Sequence, residues 1–176
     1  WRWTDRFLTY RIFEDRNFDP RHSLSFEGFN LSHSRQIGKT GLLLTYNRNR
    51  TSGYRQNGHG SRWNIFGKAK IRFTPSKTLS IIGNWAIDNH GDVIEWQSQS
   101  HPLEVSEDVM GDWIRNEKSN LTTTFQHAVN QKFGYTLKMN LYRGYWKNFY
   151  SDDSSHATTD RIITEAQFDY LFDNHA

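Results

Sequence analysis

Residues 61–87, SRWNIFGKAKIRFTPSKTLSIIGNWAI, form two runs of alternating side chains joined by a short polar turn. In the first run one side carries Trp, Ile, Ile and Phe, whereas the other carries two lysines and an arginine. A period of two is that of a β-strand, because successive side chains point to opposite faces. The pattern predicts two antiparallel strands with one apolar face and one charged face.

The same alternation recurs along the chain and predicts no helix. The predicted strands are 5–13, 22–33, 40–49, 61–74, 78–87, 119–129, 133–147 and 160–172. A change of phase at Gly28–Phe29 predicts a β-bulge. The predicted fold class is all-β, an antiparallel meander of about seven or eight long strands.

The lengths of the connections between these strands follow a regular pattern. Short connections at 34–39, 75–77 and 130–132 alternate with polar segments, each read as one loop, at 50–60, 88–118 and 148–159. A meander brings every second connection to the same end of the sheet, so one end should carry tight turns and the other long loops. This asymmetry is typical of outer-membrane β-barrels.

The strands themselves also favour a membrane. Their length of about ten residues or more suits a tilted strand that crosses a bilayer, and aromatic residues lie towards their ends, as in interfacial girdles. We therefore expect the apolar face to contact lipid and the charged face to line a wet lumen. The residues predicted to face the lumen are Lys68, Lys70, Arg72, Lys138, Glu165 and Asp169.

Composition is compatible with this arrangement. Mean hydropathy is −0.84 and aromatic residues reach 15%, as expected when half of each strand and all loops face water. No window is long and apolar enough for a membrane-spanning helix. The absence of cysteine excludes disulfides, cysteine–zinc sites and thiol nucleophiles. A net charge of +3 with both signs scattered does not favour nucleic-acid binding.

Candidate ligand-binding residues lie in the predicted loops 50–60 and 88–118, where hydrogen-bonding and stacking side chains could hold a polar ligand. They are Tyr54, Arg55, His59, Trp96 and Trp113. The alternatives are that these loops are merely solvated and that the tryptophans anchor them to a barrel rim.

Catalytic and metal sites are not predicted. Asp88, His90 and Asp92 have a spacing compatible with a metal, but a further defined ligand set is missing, and Asp152, Asp153 and His156 make no stronger case. No motif such as G-x-S-x-G marks a nucleophile. We predict no metal, no cofactor and no enzyme activity.

The segments FDPRHSLSFEGFNLSHSRQIGKTGLLLTYNRNR and KAKIRFTPSKTLSIIGNWAI resemble barrel segments of TonB-dependent outer-membrane receptors. In that family a strand ends in a TP-type periplasmic turn and the next begins with alternating apolar residues. The resemblance implies that residues 1–176 are an internal part of a barrel of about 22 strands, without a plug domain, an energy-coupling box or a terminal aromatic residue.

The resemblance also implies a function: energy-coupled uptake of a scarce nutrient, such as a siderophore or a sugar, across the bacterial cell outer membrane. The implied partners are outer-membrane lipid, the imported ligand and an inner-membrane energy-coupling protein reached through the plug region.

Two alternatives stay open. Eight strands would also make a complete small barrel with a structural or adhesion role, its lumen filled by side chains. A soluble antiparallel sheet with one face on a protein core, acting as a binding module, would show the same alternation.

Overall fold

A computed structural model of the chain describes residues 26–92, 96–150 and 153–172. The predicted all-β meander is confirmed: seven antiparallel strands form one sheet, and a two-stranded hairpin lies in an insert. The strands are β1 (Phe26–Ile37), β2 (Thr40–Thr51), β3 (Gly60–Thr74), β4 (Lys77–Gly91), β5 (Trp96–Ser98), β6 (His101–Val105), β7 (Trp113–Ala128), β8 (Phe133–Phe149) and β9 (Ser154–Tyr170). The order in the sheet is β1-β2-β3-β4-β7-β8-β9.

The alternating apolar residues correctly predicted the centre of every strand of the sheet. The predicted strand at 5–13 and residues 22–25 lie outside the described residues. Strands β4, β7, β8 and β9 extend further than predicted towards the end of the sheet that carries the longer loops.

The interpretation of 88–118 as a single loop is wrong. Strand β4 continues to Gly91 and β7 already begins at Trp113, and the insert between them contains β5, β6 and a short 3₁₀ turn at Glu107–Val109. The interpretation of 148–159 as a loop is also wrong, because β8 reaches Phe149 and β9 begins at Ser154. Most side chains at these strand ends are polar, and the adjacent apolar residues Trp113 and Ile114 lie on opposite faces, so the alternation disappears while the backbones still pair.

The contrast in loop length therefore holds for two of the three long connections. One end of the sheet carries the connections 52–59, 92–112 and 150–153, and the other carries 38–39, 75–76 and 129–132. One of the two-residue turns uses Gly38 with φ of 55°, a left-handed conformation that glycine adopts without steric cost.

The predicted bulge at Gly28–Phe29 is also wrong. Strands β1 and β2 pair without interruption from Phe26↔Thr51 to Ile37↔Thr40. The change of phase arises because Phe26 lies on the opposite face from Phe29. The irregularity of the sheet lies instead between Arg72 and Thr74, beside the turn that joins β3 and β4.

The sheet has no hydrophobic core within the described residues. Every described residue of β1 and β9 is exposed, and the buried hydrophobic residue is Val105, in the insert rather than the sheet. No described element packs across either face, and β1 and β9 each have a single neighbouring strand.

Candidate functional site

The register gives the sheet two chemically different faces. Residues directly opposite one another in antiparallel strands share a face, so Trp63, Ile65 and Ile71 lie on the same face as Ile81 and Leu137. We call this the apolar face and its reverse the polar face. The exposed large apolar residues on the apolar face are Phe29, Leu31, Ile37, Leu42, Leu44, Trp85, Leu121, Leu137, Met139, Ile162, Phe168 and Tyr170, against Phe26, Trp146 and Ile163 on the polar face. Phe73 is also exposed and lies at the irregularity beside the turn that joins β3 and β4.

The apolar residues form a band that runs diagonally across the strands. On β1 the band is centred between Phe29 and Leu31, with Ile37 as a separate residue beside the turn. If the directly opposite residue is followed from Asn30 of β1 across each strand in turn, the row ends on β9 at Thr159. On β9, however, the band extends over 162–170 and is centred at residue 166, which is seven residues away (166 − 159 = 7).

This drift gives the angle between the strands and the axis of the band. Seven residues over six strand-to-strand steps is about 1.2 residues per step, or about 4 Å along the strand for each 4.8 Å across it. The corresponding tilt is about 40°, within the 35–45° range of transmembrane β-barrels. Sequence reasoning missed this drift because it depends on the register between strands.

The polar face carries all six residues predicted to face a lumen. Lys138 and Glu165 are cross-strand neighbours whose Nζ and Oε2 atoms lie 3.3 Å apart. Asp169 accepts a hydrogen bond of 2.9 Å from the amide of Gln167. On the neighbouring strands the amide of Asn140 donates to Asn120 and Thr122. The structure thus places the six residues on one hydrophilic surface, and their position in a lumen stays a prediction.

The two longer loops interlock into a single lobe, which we define as residues 52–59 and 96–112. The backbone amide of Gln56 donates to the carbonyl of Leu103 at 2.9 Å. The side-chain oxygen of the same glutamine accepts a hydrogen bond of 3.0 Å from the amide of Val105. Gln56 therefore fastens the first loop to strand β6 at two points.

Asn57 completes the connection between the loops. Its amide nitrogen donates to the carbonyl of Val109 at 2.8 Å, and its side-chain oxygen accepts from the amide of Gly111 at 3.2 Å. The residue is buried and has φ of 56°, a left-handed conformation in which asparagine is enriched. The Asn57–Gly58 dipeptide is a turn signal in the sequence, but its partners more than fifty residues away are not.

Close backbone packing joins the lobe to the sheet. A Cβ atom at Gly91 would lie 2.1 Å from the carbonyl oxygen of Asn57, so only glycine fits there. The amide of Gly91 donates to the carbonyl of His59 at 3.0 Å. The lobe is consequently an ordered platform on the end of the sheet.

The structure separates the predicted ligand-binding residues. Tyr54 is 60% exposed, with the Arg55 guanidinium 5.6 Å from its ring centroid, so these two side chains form one surface pair. Trp113 stacks on Phe149 with ring centroids 3.7 Å apart, at the base of the lobe. Trp96 begins β5 and pairs through its backbone with Val105.

His59 is half-buried in the lobe. Burial is the main cause that lowers its pKa below 6.5, and the nearby His90 lowers the pKa further. This histidine therefore lies within the lobe, whereas Tyr54 projects into solvent beside Arg55; ligand binding by any of the three stays a prediction.

No metal site is assembled among the described residues. Asp88 lies 3.2 Å from the Arg62 guanidinium and 3.6 Å from the His90 ring. No group of three potential ligands converges anywhere in the described part of the chain. Asp88 therefore forms an ion pair with Arg62 and a contact with His90, at the loop end of the polar face.

Comparisons with protein-family models, with curated proteins and with solved structures find no match to this chain. In residues 26–92, 96–150 and 153–172, no helix is long and apolar enough to cross a membrane.

Proposed function

We propose that the chain forms part of the wall of a transmembrane β-barrel in the bacterial outer membrane, in a receptor of the TonB-dependent type that takes up a scarce nutrient. The observation that carries the proposal is the diagonal apolar band on a sheet face that no described element covers. A bilayer would cover this face on all seven strands together.

Strand length supports the proposal. Strand β8 has 17 residues, which at a tilt of about 40° rise about 42 Å along the membrane normal. An apolar band about 25 Å tall fits within this length and leaves polar strand ends on both sides.

The open edges of the sheet support it as well. The edge strands β1 and β9 are long and carry exposed apolar residues, which in water would invite edge-to-edge aggregation. Further strands that close a barrel would remove both edges. In this arrangement the polar face lines the lumen.

The interlocked lobe favours a receptor over a purely structural barrel. Ordering a loop before a ligand arrives lowers the entropic cost of binding, and the lobe presents Tyr54 and Arg55 on an already ordered platform. The chain itself supplies a wall and a capture surface, and it performs no catalysis in this proposal. The Thr74–Pro75 turn is also of the TP type on which the resemblance to the receptor family rests.

Single cysteines test the membrane placement, since the chain has none of its own. Cysteines at positions 71, 81 and 137 would carry a fluorophore, and those at 70 and 138 would be exposed to a water-soluble thiol reagent, all in the membrane-inserted protein. We expect a bilayer-confined quencher to act on the first three and the aqueous reagent to modify the other two. If the quencher does not act at positions 71, 81 and 137, and the aqueous reagent does not modify unlabelled cysteines at the same positions, a protein core is indicated and the proposal is refuted.

Refolding of the chain alone in detergent distinguishes the two kinds of barrel. A segment of a larger barrel should aggregate because its edges stay open. A β-rich product with a heat-modifiable gel shift would instead indicate a complete eight-stranded barrel.

A further inference from the structure

Charge is segregated along the chain. The stretch from Gly28 to Ile87 contains ten lysines and arginines and no aspartate or glutamate, whereas the whole chain has 22 basic and 19 acidic residues. This stretch includes all of β2 and β3 and most of β1 and β4. The modest net charge therefore conceals a strongly cationic part of the sheet.

Three of these cations form a row on the polar face of β3, which we call the cation ladder: Lys68, Lys70 and Arg72. As alternate residues of a strand they lie about 7 Å apart and point the same way. All three side chains are exposed. Through their side chains they form no hydrogen bond or ion pair with any residue that the structure describes.

The adjacent strands do not neutralise the ladder. Its cross-strand neighbours on β4 are Ile82, Ser80 and Thr78, none of them charged. The acidic residues Glu165 and Asp169 lie on β9, four strand spacings or about 19 Å away. Glu165 is moreover already paired with a lysine of β8.

A shallow cleft of about 370 Å³, open to solvent, adjoins the ladder. Its lining includes the two lysines of the ladder together with Ser34 and Gln36 of β1. Gly41 leaves room for the glutamine, because a Cβ atom there would lie 3.1 Å from the Gln36 side-chain oxygen. Ammonium, hydroxyl and amide groups are the donors that phosphate and carboxylate oxygens accept from.

We propose that the cation ladder and this cleft bind a solute that carries several phosphate or carboxylate groups, so that the nutrient taken up is an anion. The inference rests on the proposed function, since it places the ladder in the path of the solute. Unpaired like charges repel one another, and a bound polyanion relieves this repulsion along the whole ladder.

The local potential can be measured with a cysteine at position 80, opposite Lys70 on the polar face. In the membrane-inserted protein, its reaction rate is measured for a sulfonate-bearing and a trimethylammonium-bearing thiosulfonate of similar size. Each rate is divided by the rate of the same reagent with a free thiol in solution before the two are compared. A potential of one kT favours the anionic reagent by about sevenfold, and protein surfaces reach several kT. We expect at least this ratio, and we expect inorganic pyrophosphate to slow the sulfonate reagent more than sodium chloride of equal ionic strength.

Matched variants assign the effect. The triple substitution Lys68→Gln, Lys70→Gln and Arg72→Gln should bring the rate ratio close to one and abolish protection by pyrophosphate. Lys138→Gln removes a cation that is already paired on the same face and should leave both unchanged.

The outcomes separate this inference from the proposed function. The anion site would be overturned by a rate ratio near one or by protection that sodium chloride reproduces. It would also be overturned if a covering protein segment excluded both reagents. Each of these results would count even where position 81 is quenched from lipid. If position 81 is not quenched, the membrane placement fails whatever the ratio at position 80.

Discussion

Arginine substitutions along the apolar face of β8 should show a cost that depends on depth. Phe133 and Tyr145 mark the two ends of the band on this strand, and Met139 lies midway between them. At a rise of about 3.4 Å per residue and a tilt of about 40°, the two aromatic residues are about 31 Å apart along the membrane normal. Met139 is then at the midplane, and Leu137 lies about 5 Å from it.

The expected magnitudes follow from these depths. Arginine at the midplane of a transmembrane barrel costs about 2–4 kcal/mol, and near the interface it costs about 0–1 kcal/mol. We expect Met139→Arg to lower the free energy of unfolding by about 3 kcal/mol and Leu137→Arg by about 2 kcal/mol, whereas Phe133→Arg costs under about 1 kcal/mol. A loss of 2 kcal/mol changes the unfolding equilibrium by about 30-fold.

The control is Thr136→Arg, which adds the same side chain one residue away on the polar face. It should change the free energy of unfolding by less than about 0.5 kcal/mol. Reversible urea unfolding of the complete barrel in lipid vesicles measures all four variants. Equal costs at positions 136 and 137, or a larger cost at 133 than at 139, would refute the assignment of this face to lipid.

Three further predictions concern the lobe. Asn57→Ala removes two hydrogen bonds that join the loops and should destabilise the lobe by about 1–3 kcal/mol, seen as faster amide exchange at 52–59 and 96–112 with little change in the sheet. Gly91→Ala should have the same effect because its methyl group would meet the Asn57 carbonyl, whereas Gly67→Ala, with nothing within 4 Å of the added carbon, should leave exchange unchanged. Because the pKa of His59 is lowered in the closed lobe, protonation favours the state in which the two loops have separated. Protection of the lobe amides from exchange should therefore be full above pH 6.5 and decline as the pH falls through 6.5 towards the lowered pKa. His59→Gln should remove this pH dependence, and an unchanged pH profile in that variant would contradict the prediction.

The extent to which sequence predicts this fold depends on how locally each feature is encoded. The alternation at 61–74 and 133–147 gave the strands because a period of two needs no information from elsewhere in the chain. The ends of β4 and β9 were missed because His90 and Ser155 are polar residues in polar surroundings, and only the pairing across strands identifies them as strand.

The candidate site was less predictable than the fold for the same reason. The exposure of Tyr54 could be predicted from its position in a polar loop, whereas ligand binding by Tyr54 and Arg55 stays a prediction. The hydrogen bond from Gln56 to Leu103 joins residues 47 positions apart, and no local pattern specifies it. The Trp113–Phe149 stack likewise depends on the pairing of β7 with β8.

The loop-side edge of the apolar face gives a further reason to favour a bilayer over a protein core. There the Arg48 guanidinium lies 4.4 Å from the Trp63 ring centroid, and the Lys147 ammonium lies 4.1 Å from that of Phe149. Both cations share the apolar face with the rings beneath them, and neither has a carboxylate partner in the described chain. A protein layer packed over this edge would therefore have to bury unpaired charges, at a cost of several kcal/mol per ion. At a membrane interface the same pairs would be favourable, because aromatic rings lie at the headgroup level and cations above them reach water and anionic groups.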